Sequence, residues 1–254
     1  MIENIILGHT NNIVNNIKLI NEYKPFVSII LALYEIKIEY LNECLNSILN
    51  QTYQNFEIIV INDCSPYTNY DYIKNLSPKI KLYKNEINLG LCKTINKAFS
   101  LANGKYIVRL DSDDIFDKTL IEKEVSFLES HPLQGAVCCN IKRFGLRSQK
   151  IIRPFRWNLS RIVNNRIFRG TGYAGGMMFK RELLKHCSID ESLRICEDFD
   201  FNLQILKCSS ISSIHETLYF YRSHETNICK TVTKEERYAI LDYIINKYKN
   251  KETA

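Results

Sequence analysis

Three carboxylates stand within four residues in Arg109-Leu110-Asp111-Ser112-Asp113-Asp114, directly after an apolar run. Alternate residues of an extended strand point to one side, so Asp111 and Asp113 are expected to face a common site while Asp114 turns away. Two close carboxylates repel. A hard divalent cation, Mg²⁺ or Mn²⁺, relieves that repulsion through oxygen ligation and leaves positions open for phosphate. The competing reading is a solvated turn, or a cap by Asp114 or Asp117 on the helix that follows.

Other polar groups fall where apolar runs end. Asn62-Asp63-Cys64-Ser65-Pro66 closes a second such run. Asp63 can accept a hydrogen bond from the imide N–H of a base, or the segment can be an Asx-turn. Tyr34 and Glu35 end the first run, with Tyr34 able to pack near a base or to sit on the rim. Asn88-Leu89-Gly90 leads into a helical stripe carrying Lys93; a helix start favours anions, and a plain turn is the alternative. Three strand ends with acids, an aromatic and a glycine-led helix start describe a nucleotide pocket beside a metal.

The elements that must position these groups alternate. Val27–Leu33, Glu57–Asn62, Ile80–Tyr83 and Tyr106–Leu110 have strand length and composition; residues 38–50, 91–102 and 117–130 carry helical stripes, and 70–76 suits a short helix. Apolar strands alternating with amphipathic helices predict an α/β fold, a mostly parallel Rossmann-like sheet flanked by helices in a single domain. In such sheets ligands sit beyond the carboxyl ends of the strands, where the polar clusters fall. The second half is less regular. Ala136–Ile141, a Gly-rich Tyr173–Phe179 and Leu218–Arg222 are expected strands, 145–170 a basic loop with a short helical piece, and 197–208 and 234–249 helices. Residues 1–24 are expected to form an N-terminal extension. The domain is placed at 25–230, with a nucleotide-binding half at 25–115 and an acceptor half at 116–230, and 231–254 forms a C-terminal helix.

Bulk properties bound the rest. The 254 residues are 45% hydrophobic and 24% charged, which argues against disorder. The net charge of +6 is mild, and nucleic-acid binding is not expected. The basic stretch Lys142, Arg143, Arg147, Lys150, Arg153, Arg156, Arg161, Arg166, Arg169 reads as a solvated face or as a surface for an anionic acceptor, a diphosphate or an anionic membrane. Nine cysteines without metal-like spacing, no secretory signal and no membrane-length apolar run predict a cytoplasmic chain with reduced thiols, its basic face open to peripheral contact with the inner face of the membrane.

Taken in order, the motifs resemble the family 2 glycosyltransferases of the GT-A fold. They are PFVSIILALYE at 25–35, YLNECLNSILNQTYQNFEIIVINDCS at 40–65, NLGLCKTINKAF at 88–99, GKYIVRLDSDDI at 104–115, GGMMFKREL at 175–183, ESLRICEDFDFNLQIL at 191–206 and YFYRSH at 219–224. The resemblance implies an inverting, metal-dependent transfer of a sugar from a nucleotide diphosphate donor, UDP-linked ahead of GDP or dTDP, to a glycan or lipid-linked acceptor of a bacterial surface polysaccharide. It implies that Asp63 contacts the base, that Asp111 serves the ribose or the metal, that Asp113 binds the metal, and that Ser112 stands between them in the DxD motif. It implies Asp198 of the Glu197-Asp198 pair as general base and His224 as a further metal ligand.

The neighbouring acids point about 100° apart on a helix, so one is expected to reach the site; a merely favourable acidic first turn is the alternative. Ala32, Glu35 and Cys64 depart from the family's usual Pro, Asn or Asp, and Gly. Gly175-Gly176 suits close approach of a sugar to backbone, or a bulged strand. Phe155 and Trp157 suit sugar stacking or the core. A sugar-1-phosphate nucleotidyltransferase would need a Gly-rich, Arg-containing loop after the first strand, and ALYEIKIEY has neither. A non-catalytic nucleotide-sugar-binding domain is a further alternative.

Overall fold

Strand β1 (Val27–Leu33) is buried at every residue but the half-buried Ala32, because it is covered on both sides. Ile29 and Leu31 pack into one core and Ile30 into another across the sheet. The computed structural model describes residues 25–66, 69–146, 150–154, 158–165 and 176–249. The expectations for 1–24, for Gly175, Phe155 and Trp157, and for Arg147, Arg156, Arg166 and Arg169 lie outside the described residues.

β1 pairs in parallel with β2 (Phe56–Asn62) and β4 (Tyr106–Arg109), and β2 with β3 (Ile80–Lys84). The remaining strands are β5 (Ile115–Phe116), β6 (Ala136–Gly145), β7 (Ile151–Ile152), β8 (Met178–Lys180) and β9 (Ile211–Ser223). They complete one sheet in the order β3-β2-β1-β4-β8-β6-β9-β5, with β7 on β6. The expected parallel pattern thus holds from β3 to β4. Beyond β4 the sheet is mixed, because β8 enters antiparallel to both β4 and β6.

Helix α1 (Ile38–Leu49) buries Leu41, Cys44, Leu45 and Ile48, the stripe its spacing dictates. α2 (Leu91–Leu101) buries Cys92, Ile95, Ala98 and Phe99 on the opposite face. α3 (Leu120–Ser130) begins three residues later than its pattern suggested, since Asp117 Oδ1 accepts from Thr119 N and holds a turn before it. α4 (Leu159–Asn165), α5 (Glu197–Cys208) and α6 (Lys234–Lys249) share a third apolar cluster around Phe199, Leu203 and Ile244.

α6 is also pinned by charge. Lys247 Nζ lies 2.9 Å from Asp190 Oδ2 and 3.0 Å from Asp200 Oδ1, and Tyr248 donates to Asp200 Oδ1 at 2.9 Å. Asp200 is fully buried, so the C-terminal helix holds α5 from behind. Among the described residues no helix is long and apolar enough to cross a membrane.

Candidate active site

β4 stops at Arg109, and the acids that follow lie in a turn closed by Asp114 N donating to Asp111 O at 2.9 Å. The extended-strand argument for their directions is therefore replaced by a turn, yet the division of roles is similar. Asp114 is fully buried: Oδ2 accepts from the Tyr219 hydroxyl at 2.6 Å and Oδ1 from Arg222 N at 2.7 Å. Burial, reinforced by Asp113 and Asp111, pushes its carboxyl well above the usual range.

Asp113 points the other way, its Oδ2 2.6 Å from His224 Nε2. Burial and the charge of Asp111 raise its pKa, and His224 opposes them. Nδ1 of His224 lies 2.9 Å from Thr226 Oγ1. A carboxylate oxygen and an imidazole nitrogen in contact, with the far ring nitrogen oriented by a hydroxyl, have the donor chemistry of a divalent cation site. Among the described residues they do not form a complete cluster of three such ligands.

The last residues of β9 wrap this turn. Arg222 donates through Nε to Asp113 O at 2.7 Å and pairs with Glu43. Its guanidinium stacks on Tyr40 and Phe144, at 4.4 and 4.5 Å from the ring centroids. Gly176 has φ +69°, and a Cβ there would stand 2.6 Å from the Tyr219 ring. Packing against Tyr219 thus accounts for glycine at 176.

Glu197 and Asp198 open α5, and they differ sharply. Glu197 is buried, with Oε1 3.0 Å from Arg109 Nη1. The other side of the same guanidinium holds Asp111 Oδ1, through Nε at 2.9 Å and Nη2 at 2.7 Å. Asp198 Oδ1 accepts from Phe199 N at 2.8 Å, and Oδ2 has no protein partner among the described residues. Burial, then the neighbouring Glu197, push the Asp198 carboxyl up to about 7, against the pull of Arg109.

At the carboxyl end of β2 Asp63 is buried, and both its oxygens are engaged. Oδ1 accepts from Asn85 Nδ2 and Leu89 N, each at 2.8 Å, and Oδ2 from Gly90 N at 2.9 Å. Asp63 thus fixes the loop before α2, and the N–H groups of Leu89 and Gly90, expected to be open to an anion, are directed to it. Asn88 Oδ1 also accepts from Gly90 N, at 3.0 Å, and Gly90 takes φ +83°, where glycine is strain-free. Lys93 is exposed on the first turn of α2. The Asx-turn belongs to Asn62, whose Oδ1 accepts from Ser65 N at 2.9 Å. Ser65 Oγ in turn accepts from Glu35 N at 3.2 Å, tying the ends of β1 and β2. Tyr34 and Glu35 are exposed on this rim, and Ser112 is half-buried in the acid turn.

A cavity of about 460 Å³ lined by Asn62, Ser65, Tyr70 and Tyr83 opens beside these ends. A larger one, about 970 Å³, lies at the opposite, amino edge around Phe26, Asn103 and Lys105, so size does not mark the acids here.

Among the described residues three non-glycine positions have left-handed backbone: Glu35 at φ +49°, Cys64 at +58° and Cys196 at +61°. They sit at the ends of β1 and β2 and immediately before α5. Such strain collects at functional sites. Gly, Asn and Asp, which the family resemblance gives as usual at these two positions, tolerate this region better, so Glu35 and Cys64 carry strain that those residues would not. The roles of Arg109, Arg222 and Tyr40 were missed from the sequence. Arg109 had a signal, as the one cation inside the acidic motif.

The sheet order and the acids past its strand ends define an α/β fold of the GT-A type, shared with solved glycosyltransferases. The chain belongs to glycosyl transferase family 2, whose model matches residues 28–205. It is 41% identical over 226 residues to an uncharacterized glycosyltransferase of Haemophilus influenzae, covering 84% of this chain and 70% of that one. It is 31% identical over 225 residues to another from Methanocaldococcus jannaschii, covering 85% and 77%. Among solved structures, S. aureus TarS 1–349 in complex with UDP-GlcNAc superposes with a TM-score of 0.68 at 23% identity, over 82% of this chain and 61% of that one. The mannosyltransferase PcManGT of Pyrobaculum calidifontis, in complex with GDP-Man and Mn²⁺, gives 0.66 at 18%, over 87% and 64%. The chain thus spans under two thirds of either solved structure.

Proposed function

We propose that this glycosyltransferase moves a sugar from a nucleotide diphosphate donor, UDP-linked in the first instance, to a hydroxyl of a glycan or lipid-linked acceptor, with inversion. Bacterial surface-polysaccharide synthesis is the setting in which such acceptors arise, at the cytoplasmic side of the membrane. The observation that carries the reading is the Arg109 bridge. It joins the turn carrying Asp111 and Asp113 to the helix start carrying Asp198, bringing a donor-binding group and a proton acceptor to one edge. The UDP and UDP-GlcNAc complexes of TarS support a UDP donor, and PcManGT with GDP-Man keeps GDP as the alternative.

Asp198 is the general base. Its free Oδ2 takes the proton of the acceptor hydroxyl as that oxygen bonds to the anomeric carbon and the bond to the diphosphate breaks. A base with a pKa near the working pH suits this step. Glu197 has no such freedom, because Arg109 holds it.

Asp113 and His224, with Asp111, are the residues that would hold Mn²⁺ or Mg²⁺. When bound, such a cation neutralises the diphosphate and absorbs the charge that develops on it. Tyr34, Glu35 and Asp63 form the base-side rim, with Asp63 acting through the loop it orders, and Asn88, Gly90 and Lys93 lie beside the phosphates.

The test is release of nucleoside diphosphate from UDP-, GDP- and dTDP-sugars with Mn²⁺ present. Turnover of one donor, lost in excess EDTA and restored by Mn²⁺ or Mg²⁺, is expected. Full activity in excess chelator would overturn the metal assignment, and no turnover by a folded sample would overturn the enzymatic one.

A further inference from the structure

The first turn of α5 is held at two points with Asp198 between them. Behind it, the Asp200 carboxylate is tied to Lys247, Tyr248 and Gln204. In front, Glu197 is tied to Arg109. The residue before the helix, Cys196, lies in the left-handed region, and its side chain does not cap the helix. Arg109 is the last residue of β4, itself hydrogen-bonded into the parallel sheet beside Ile30. Its planar fork reaches Asp111 on one side and Glu197 on the other, a span that a single ammonium point charge does not reproduce. The side chains of Arg109 and Glu197 are only 23% and 9% exposed, so water screens their pairing weakly.

We propose that Arg109 is a positioning residue for sugar transfer: holding Asp111 and Glu197 on one guanidinium, it sets the first turn of α5, and so Asp198, at a fixed distance from the donor-binding turn. The inference rests on Asp198 being the base. It assigns Glu197 a role too, as the tether that keeps its neighbour in place. Displacement of a reacting group by about an ångström costs on the order of 100-fold in rate.

The experiment compares wild type with Arg109→Gln, Arg109→Lys, Glu197→Gln and the Arg109→Gln/Glu197→Gln double variant. Each is assayed for UDP binding with Mn²⁺ by calorimetry and for hydrolysis of the nucleotide sugar that wild type turns over. Arg109→Gln is expected to lower kcat about 10- to 100-fold, with KM and the UDP Kd within about threefold. Glu197→Gln should fall similarly, the double variant no further than the worse single, and Arg109→Lys in between. Where Arg109→Gln does not fold, Arg109→Lys and Glu197→Gln carry the test. An unchanged kcat, strictly additive losses, or a tenfold weaker UDP Kd at normal kcat would each overturn the proposal, the last marking Arg109 as a donor ligand. Wild type that turns over no donor would defeat the functional reading and this inference with it. An active wild type with an equally active Arg109→Gln would defeat this inference alone.

Discussion

The turn after β4 and the first turn of α5 each present two adjacent acids, and each divides them in the same way. In the β4 turn, Asp114 is buried and spent on the Tyr219 hydroxyl and the Arg222 N–H, while Asp113 is turned to His224. In α5, Glu197 is buried on Arg109, while Asp198 Oδ2 has no protein partner among the described residues. One acid of each pair is committed to other groups of the protein, and the other is the one that the proposed mechanism uses. The pairs differ in partner. Burial and a neighbouring acid raise both carboxyls, but Asp113 is in contact with a histidine, which opposes the rise and suits a shared cation, whereas Asp198 is opposed by the charge of Arg109 and still rises to about 7. Adjacent acids in a site therefore need not share a role, and the partner of each tells which role it has.

The comparison is broken most sharply at Asp198. Asp198→Asn keeps the shape and removes the proton acceptor, so turnover is expected to fall about 10²- to 10⁴-fold with UDP affinity unchanged. Near-normal turnover would put the two acids of α5 on an equal footing. His224→Ala comes next. Removing a group that merely orients a metal ligand costs about 10- to 100-fold in metal affinity, and a direct ligand no less. The Mn²⁺ concentration for half activity should rise by that order in a metal titration; an unchanged titration would leave Asp113 paired with His224 for structure alone.

Asp114→Ala tests the securing role. It removes the carboxylate that accepts from the Tyr219 hydroxyl and from Arg222 N, a loss of about 3 kcal/mol or more in urea unfolding. Asp113→Ala should cost far less stability and far more activity. The smallest effect is expected at the strained rim: Cys64→Gly relieves a left-handed conformation and should stabilise by about 1 kcal/mol.

The parallel half was legible because its strands are buried on both faces and read as unbroken apolar runs, and α1 and α2 because their stripes recur every three to four residues. The residues of α5 and α6 were likewise bounded by their patterns. β9 was read only at its apolar end, since Ser212, Ser213, His215 and Glu216 interrupt any strand pattern before it. The antiparallel entry of β8 leaves no local mark in three residues. Within the site, the acids were visible as residue types at strand ends. What each one touches was not: the Arg109 bridge spans 88 positions and the Asp114–Tyr219 bond 105, and no local spacing encodes such pairings. Asp63 shows the consequence: its hydrogen bonds to Asn85, Leu89 and Gly90, which order the 85–90 loop, carry no local sign in the sequence.

The most direct measurement is the pH dependence of kcat/KM for wild type and Asp198→Asn. A base must be unprotonated to accept the hydroxyl proton, and the Asp198 carboxyl is pushed up to about 7. Wild-type kcat/KM is therefore expected to fall tenfold per pH unit below about 7 and to level off above it, with Asp198→Asn low and without that limb. A wild-type profile flat down to pH 5, or the same limb persisting in Asp198→Asn, would contradict the assignment of Asp198 as the working acid of its pair.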